Sequence, residues 1–221
     1  MSVTRLDLPR RGPDSGTVSA LRERMRQMSD GVPRLPLVTP PELSGLLDLR
    51  TGGAYQVDSA ALVLSLLAGP SRAGSWAAVV GAPDLGVEAA EEAGVELGRL
   101  VLVPDPGEHW LEVVAALVDV VTMVVLRPPP GVSERAASRI AARLRKRSAV
   151  LLAWGDWPGC EARLSLESSV WEGIEQGHGR LRSRRCVVAV SRGSAPPRRT
   201  ELCLSGGPGE IRVERGAVRV G

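Results

Sequence analysis

Short apolar runs alternate along residues 42–158 with segments in which apolar residues recur every three to four positions. The apolar runs predict buried strands at Ala54 to Asp58, Trp76 to Gly81, Leu100 to Val103, Thr122 to Leu126 and Ala149 to Ala153. The periodic segments predict helices at Ser59 to Leu67, Asp84 to Ala93, Glu108 to Asp119 and Ser133 to Arg147. Such alternation is typical of an α/β fold with a mostly parallel sheet flanked by helices.

Past Gly159 the helical periodicity ends and only strand-like segments follow. Strands are predicted at 163–168, 180–191 and 200–204, with a hairpin at 210–220. The simplest interpretation is an antiparallel extension of the parallel sheet. We therefore expect one domain at 42–221, made of an alternating core (42–158) and antiparallel C-terminal strands (159–221).

Residues 1–41 are predicted to form a polar arm, a helix and a linker. Thr17 can cap the helix, and four prolines between residues 30 and 41 indicate the linker. The helix carries a narrow apolar stripe beside several arginines, which makes it a candidate for docking on a partner; packing on its own domain is the alternative. Its candidate contact residues are Leu21, Arg22, Met25 and Met28.

The 221-residue sequence has no segment that predicts a membrane span, a secretion signal or a metal site. Its longest nearly apolar run, residues 60–70, is shorter than the roughly 20 residues that cross a bilayer. Residues 1–16 lack the apolar segment of a secretion signal, so we expect a cytoplasmic protein. Three cysteines, Cys160, Cys186 and Cys203, lie far apart without metal-ligand spacing, which favours reduced thiols and no metal cofactor.

Charge is distributed unevenly, although the net charge is only +3. Residues 36–133 carry four arginines against twelve acidic residues, whereas residues 134–221 carry seventeen basic residues against nine acidic ones. Among all 28 basic residues only Lys146 is a lysine. The basic part predicts contact with a polyanion or an acidic protein face; solvated faces that balance each other within one fold are the alternative.

A functional phosphate-binding loop is not expected. The segment from Gly69 to Trp76 has the glycine spacing of a Walker A loop, but Ser75 stands at the position of the lysine. A phosphate-binding loop leads from a strand into a helix, whereas this segment is predicted to lead from a helix into a strand. After the first predicted strand, residues 55–61 contain no glycine or lysine and include Asp58, whose carboxylate would repel phosphate. Arg127 follows the strand predicted at Thr122 to Leu126, at the position where a nucleotide-hydrolysing protein would carry a carboxylate that holds magnesium. These features argue against nucleotide hydrolysis and against a nucleotide cofactor.

The chain resembles RecA over its alternating core. Residues 53–127 are similar to the RecA core with a shortened phosphate loop. Within them, residues 81–126 resemble the RecA segment that leads to the Walker B strand. Residues 171–220 resemble the antiparallel strands that follow in RecA. Together with the motifs GSWAAVVGAPDLG, VLVPDPG, GDWPG and GHGRLRSRR, these stretches resemble the RecA-like accessory protein of the inducible mutagenesis cassette, the ImuA type.

The resemblance implies a protein of the SOS response that supports an inactive Y-family polymerase homologue and an error-prone DnaE-type polymerase in translesion DNA synthesis, with RecA as a further candidate partner. The catalytic glutamate of RecA corresponds to Pro83 and its Walker B aspartate to Arg127, so no catalytic residue of the family carries over. The implied role is a non-catalytic scaffold or adaptor.

Two basic segments are candidates for binding a partner or single-stranded DNA. Arginines recur every four residues along the helix predicted at 133–147, and they alternate with other residues in the segment 177–185. A merely solvated face is the alternative for the helix. Three tryptophans, Trp154, Trp157 and Trp171, offer stacking platforms for bases unless they are buried. The candidate cations are Arg135, Arg139, Arg143, Lys146, Arg147, Arg180, Arg182, Arg184 and Arg185.

Four aspartates lie at the ends of predicted strands, where open α/β sheets bind ligands: Asp58, Asp84, Asp105 and Asp156. They define a third hypothesis, a divergent enzyme that uses these carboxylates for metal binding or acid–base chemistry. Helix capping and turn formation, with Asp84 as a cap, is the alternative. The sequence therefore leaves three functions open: an adaptor, a single-stranded DNA-binding module and a divergent enzyme.

Overall fold

The computed structural model describes residues 33–43, 45–172, 183–207 and 210–215. These residues contain the strands β1 (Ala54–Val57), β2 (Ala77–Val80), β3 (Leu100–Val103), β4 (Met123–Leu126), β5 (Val150–Trp154), β6 (Ala162–Glu172), β7 (Ser183–Ser191), β8 (Arg198–Gly207) and β9 (Glu210–Arg215). The strands form one sheet with the order β3-β2-β4-β5-β1-β6-β7-β8-β9. Pairing is parallel from β3 across to β6 and antiparallel from β6 to β9.

Helices cover both faces of the parallel part of the sheet. They are α1 (Ala60–Arg72), α2 (Val87–Glu92), α3 (Trp110–Val118) and α4 (Glu134–Arg147), with short 3-10 turns at Pro41–Leu43, Leu97–Arg99 and Gly107–His109. Residues of α1 and α2 join one hydrophobic core, and residues of α3 and α4 join a second core on the opposite face. The predicted α/β class, a mostly parallel sheet flanked by helices with antiparallel C-terminal strands, is confirmed. No helix within the described ranges is long and apolar enough to span a membrane.

Strands β2, β4 and β5 are apolar at every position because both of their faces are covered. All four residues of β4 and the first four of β5 are buried. Strands of parallel sheets covered on both sides show such continuous apolar runs rather than alternation. This is why the sequence pattern predicted β2, β4 and β5 so closely.

Two helices differ from their predicted bounds. Helix α1 continues past Leu67 to Arg72 and includes Pro70, which lies in its last turn, where a proline removes only one helical hydrogen bond. Helix α2 begins at Val87, with Gly86 as its N-cap, so the prediction that Asp84 caps this helix is wrong. The Asp84 carboxylate instead accepts a hydrogen bond from Arg127.

Residues 34–41, predicted as the end of a linker, pack on the domain and are called the N-terminal strap below. The N–H of Leu37 donates to the carbonyl of Leu49 over 2.8 Å, and the N–H of Thr51 donates to the carbonyl of Leu35 over 2.9 Å. At Val38 the strap passes so close to α1 that a Cβ on Gly69 would lie 2.6 Å from the Val38 carbonyl oxygen. The described part of the linker therefore belongs to the folded domain.

The C-terminal extension is built from long antiparallel strands. Strand β6 runs four residues beyond the predicted end at 168, with a bulge between Leu166 and Ser168, and β7 starts at Ser183. Where a hairpin was predicted at 210–220, residues 210–215 form the single strand β9 beside β8, and residues 216–220 lie outside the described ranges. The long strands extend the sheet well past the last helix-covered strand.

Candidate functional site

The connection from β1 to α1 consists only of Asp58 and Ser59. The Asp58 N–H donates to the Leu164 carbonyl over 3.3 Å, and the Asp58 carboxylate accepts from the Leu166 N–H at 3.1 and 3.2 Å. A carboxylate thus anchors β6 at the place where a phosphate loop would need glycines and unoccupied N–H groups. This geometry agrees with the predicted degeneracy of the phosphate loop.

The Walker-like segment joins a helix to a strand, as predicted. Gly69 and Pro70 lie inside α1, and Trp76 directly precedes β2. The free N–H groups of a helix N-terminus, which hold phosphate in a true loop of this kind, are therefore not present at this segment. Its first glycine instead permits the close approach of the N-terminal strap.

Arg127 follows β4 and is held by two neighbours. Its guanidinium carbon lies 3.8 Å from the centroid of the Trp154 ring, and its Nη1 donates to Asp84 Oδ1. The hydrogen bond from Arg127 holds the pKa of the Asp84 carboxyl below its usual range. A fixed cation thus stands where a magnesium-holding carboxylate would be sought.

A cleft of about 590 Å³ lies at the carboxyl ends of β1, β4 and β5, beside the loop of Pro128–Pro130. Its polar centre is Gln56, whose side-chain oxygen accepts from the Trp157 N–H at 3.3 Å and from Arg163 Nε at 3.2 Å, while its amide group donates to Asp156 at 3.1 Å. Sequence reasoning missed Gln56 and Arg163. The available signal was a single polar residue within the otherwise apolar strand β1.

The four strand-end aspartates have separate partners. The Asp58 carboxylate accepts a hydrogen bond from the backbone of β6, and the Asp84 carboxylate accepts one from Arg127. Asp105 accepts a hydrogen bond from the Gly107 N–H at 3.1 Å, and Asp156 accepts one from the Gln56 side chain. No group of three or more His, Cys, Asp or Glu side chains suited to a metal ion occurs among the residues that the structure describes. Each aspartate thus has a structural contact, but only the turn at Asp105 is of the predicted kind, since Asp84 does not cap α2 and Asp58 anchors β6.

The structure places the side chains of two cysteines, Cys160 and Cys186, among other groups of the domain. Cys186 is buried in the core and Cys160 is half-buried beside Gln56. Burial raises the pKa of the Cys160 thiol, and a thiol rather than a thiolate is a poor nucleophile.

Helix α4 presents an arginine face, as predicted, and its ends are well defined. The Ser133 hydroxyl accepts from the Ala136 N–H at 3.2 Å, and Ser148 ends the helix with a φ of 52°. Ala137, Ile140 and Leu144 point into the core, so the cations of the helix lie towards solvent.

Asp119, directly after α3, binds two of these cations. Arg143 donates from Nε at 2.7 Å and from Nη2 at 2.5 Å to its two oxygens, and Arg147 Nε donates at 3.1 Å. The hydrogen bonds from Arg143 are the main reason that the pKa of Asp119 is lowered to about 2. Part of the predicted basic face is therefore neutralised within the domain.

The remaining candidate contact residues divide into three groups. Arg135, Arg139 and Lys146 are exposed and, within the described ranges, form no ion pair or hydrogen bond. Arg184 and Arg185 lie in β7, and Arg184 Nη2 donates to the Ser169 hydroxyl at 3.1 Å. The other predicted contact residues lie outside the described residues: Arg180, Arg182, Leu21, Arg22, Met25 and Met28.

Two of the three predicted aromatic stacking platforms, Trp154 and Trp157, are engaged inside the domain. Trp157 is 3 % exposed and packs edge-to-face against Trp110, with ring centroids 6.4 Å apart. Trp154 is covered by Arg127. The side chain of Trp171 lies outside the described residues, so two of the three tryptophans are assigned to packing rather than to base stacking.

Fold and site together define an α/β protein with a mostly parallel sheet. Asp58 holds the backbone of β6 at the end of β1, where nucleotide chemistry would require a phosphate loop, and Arg127 stands at the end of β4, where it would require a carboxylate. The chain belongs to the MT3502 N-terminal domain family, whose model matches residues 42–159. It is 39% identical over 145 residues to the uncharacterized protein Rv3395c of Mycobacterium tuberculosis (strain ATCC 25618 / H37Rv), and the alignment covers 65% of this chain and 67% of that protein.

Proposed function

We propose that this protein is a non-catalytic RecA-like adaptor in SOS-induced, error-prone translesion DNA synthesis. In this role it supports an inactive Y-family polymerase homologue and a DnaE-type polymerase, with RecA as a further candidate partner. The assignment of partners rests on two resemblances. Residues 53–127 and 171–220 resemble RecA, and the motifs GSWAAVVGAPDLG, VLVPDPG, GDWPG and GHGRLRSRR resemble the ImuA type.

The observation that carries the non-catalytic part of the proposal is the β1–α1 connection. Two residues replace a phosphate loop, and Asp58 uses its carboxylate to hold the backbone of β6. Phosphate at this position would meet a negative charge at a connection that has no glycine and no lysine. Arg127, fixed between Asp84 and Trp154, supports the same conclusion at the end of β4.

The adaptor function is tested by co-expressing the full chain with the inactive Y-family homologue and measuring the complex by size-exclusion chromatography and sedimentation. We expect a complex of defined stoichiometry. A second arm titrates ATP with magnesium into the protein by calorimetry, and no heat of binding is expected. Absence of any complex with the homologue would refute the adaptor, and saturable ATP binding followed by measurable phosphate release would refute its non-catalytic character.

A single-stranded DNA-binding module is the second candidate, favoured by Arg135, Arg139 and Lys146, which are exposed and have no ion-pair partner in the described part of the chain. Non-specific binding of this kind has dissociation constants of roughly 10⁻⁴ to 10⁻⁶ M and weakens steeply with salt. A mobility-shift titration at low and moderate salt distinguishes it. A response that is flat at low salt rules out direct DNA binding and leaves the adaptor standing.

The third hypothesis, an enzyme that uses the strand-end aspartates, receives less support because each of these carboxylates already has a partner of its own. Substituting Asp156→Asn tests it directly. An enzymatic activity that the wild type shows and that the Asp156→Asn variant lacks would support the enzyme hypothesis.

A further inference from the structure

A groove with a volume of about 250 Å³ runs between α3 and α4 on the outer surface of the domain. Leu111, Ala115 and Ala116 line it from α3, and Ile140, which is 2 % exposed, belongs to its lining on α4. Arg139 and Arg143 line the same groove from α4, and Glu112 lines it from α3. The groove therefore combines an apolar surface with a cationic wall.

Helix α3 has too little polarity for an ordinary surface helix. Its sequence WLEVVAALV contains one charged residue, Glu112, and the other fully exposed position within the helix is Ala116. Leu111, Val113 and Leu117 are only partly buried against the core. A helix that faces water normally carries charged or polar residues on its outer side, so this apolar surface is suited to be covered.

The cationic wall has a regular spacing and an uneven charge balance. Arg135, Arg139, Arg143 and Arg147 recur every four residues, which corresponds to a rise of roughly 6 Å between neighbours. Asp119 forms ion pairs with the last two and offsets one of their two charges, whereas the first two form no ion pair with any residue that the structure describes. The guanidinium groups that have no ion-pair partner among the described residues therefore belong to Arg135 and Arg139, on the part of α4 away from Asp119.

We infer that this groove is the docking site for an acidic amphipathic helix of a protein partner. Leucine-like side chains at positions i, i+3 or i+4, and i+7 would contact the apolar surface, and Asp or Glu along one flank would pair with Arg135 and Arg139. On the α3 side Glu112 forms no ion pair with any residue of the described ranges, so the opposite flank of the partner helix should be uncharged or basic there. The inference rests on the proposed adaptor function and names the surface and the chemistry of its contact.

Other occupants match the groove less well. A nucleic-acid backbone offers no apolar groups for Leu111 and Ala115 and would be repelled by Glu112. The chain's own predicted N-terminal helix carries Arg22, Arg24 and Arg26, the same sign as the wall. The acidic helix α2 of a second copy has only six residues, and its exposed residues are Glu and Ala without a large apolar side chain.

The test uses the full chain and a fluorescent 18-residue peptide with leucines at helical spacing and glutamates along one flank. Anisotropy is compared with a peptide of the same composition in scrambled order, a peptide with lysine in place of glutamate, and oligothymidine. Three variants accompany the wild type. Arg139→Glu reverses charge in the groove, Ala116→Trp fills it, and Arg145→Glu makes the same charge change on another side of α4, beside Gly52.

We expect saturable binding of the acidic amphipathic peptide only, weakened at least tenfold by Arg139→Glu and by Ala116→Trp and less than twofold by Arg145→Glu. Circular dichroism checks that each variant is folded. Equal binding of the scrambled peptide, preferential binding of oligothymidine, self-association lost in the same variants, or no peptide binding at all would overturn the inference. If the Arg139→Glu variant nevertheless forms the full complex with the polymerase homologue, the adaptor function stands and only the groove is wrong.

Discussion

Replacing Gly69 with alanine tests the close packing of the N-terminal strap on α1. Gly69 lies within the helix and is buried. A Cβ at this position would lie 2.6 Å from the Val38 carbonyl oxygen and 3.1 Å from Val38 Cγ1. Both atoms belong to the strap, and the closer one is a backbone atom that cannot rotate away.

The size of the effect follows from two opposing contributions. In an open helix interior, Gly→Ala stabilises a protein by about 0.5–1 kcal/mol because glycine loses more backbone entropy on folding. Overpacking a tight contact costs about 1–3 kcal/mol. Because the 2.6 Å approach forces backbone movement, the cost prevails, and we expect a net loss of about 1–2 kcal/mol of unfolding free energy. For a chain of this size that loss corresponds to a melting temperature lower by about 2–8 °C.

Thermal and urea unfolding followed by circular dichroism measure this change. Gly98→Ala is the matched control, because a Cβ on Gly98 has no atom within 4 Å and its backbone conformation accepts an L side chain. The control should be as stable as the wild type or slightly more so. A Gly69→Ala protein that is at least as stable as the wild type would refute the reasoning, since the ordinary helix gain would then have prevailed and the strap could not pass so close to α1.

Three further measurements probe other contacts. Tyr55→Phe should cost about 1–2 kcal/mol in urea unfolding, because the Arg50 N–H loses the hydroxyl that it contacts at 2.9 Å; an unchanged midpoint would contradict this. Leu144→Ala, at a fully buried position of α4, should cost about 2–5 kcal/mol by the same assay, and a cost below 1 kcal/mol would mean that the helix packs differently. Asp119→Asn should lose the stability that the carboxylate gains from Arg143. Because the folded pKa of about 2 lies below the unfolded value, the advantage of the wild type should be complete above about pH 5 and be lost as the pH falls through about 2; a difference independent of pH would contradict the ion pair.

The central sheet could be predicted from the sequence because its physical signal is local. Strands β2, β4 and β5 are covered on both faces, so every position is apolar and the run itself marks the strand. Helix α4 was equally clear, since its buried Ala137, Ile140 and Leu144 and its exposed arginines follow one period.

The N-terminal strap could not be predicted because its three prolines interrupt any helical or strand periodicity. Its structure depends on partners far along the chain: Leu35 and Leu37 pair with Thr51 and Leu49, and the Val38 backbone requires a glycine at position 69. Local sequence reasoning assigned that glycine to a Walker-like spacing. Its physical role became visible only when the strap and α1 were brought together.

The partners of charged side chains were equally out of reach. Asp84 lies where a helix cap would be useful, but Arg127, 43 residues later, binds its carboxylate. Gln56 organises the cleft at the sheet edge through contacts with residues about 100 positions away. A sequence pattern gives the face on which a side chain lies, but it does not give the neighbour that occupies the same face from another element.

This limit also changes how the basic helix α4 is understood. Counted along the sequence, Arg135, Arg139, Arg143 and Arg147 are four equivalent cations, and any polyanion would satisfy them. In the folded domain Asp119 already fixes Arg143 and Arg147. A partner therefore gains most by placing acidic groups near Arg135 and Arg139 only, next to the apolar side of α3. That combination is found on an amphipathic protein helix and not along a uniformly charged phosphate backbone, which is why we propose protein contact and not DNA contact at this face.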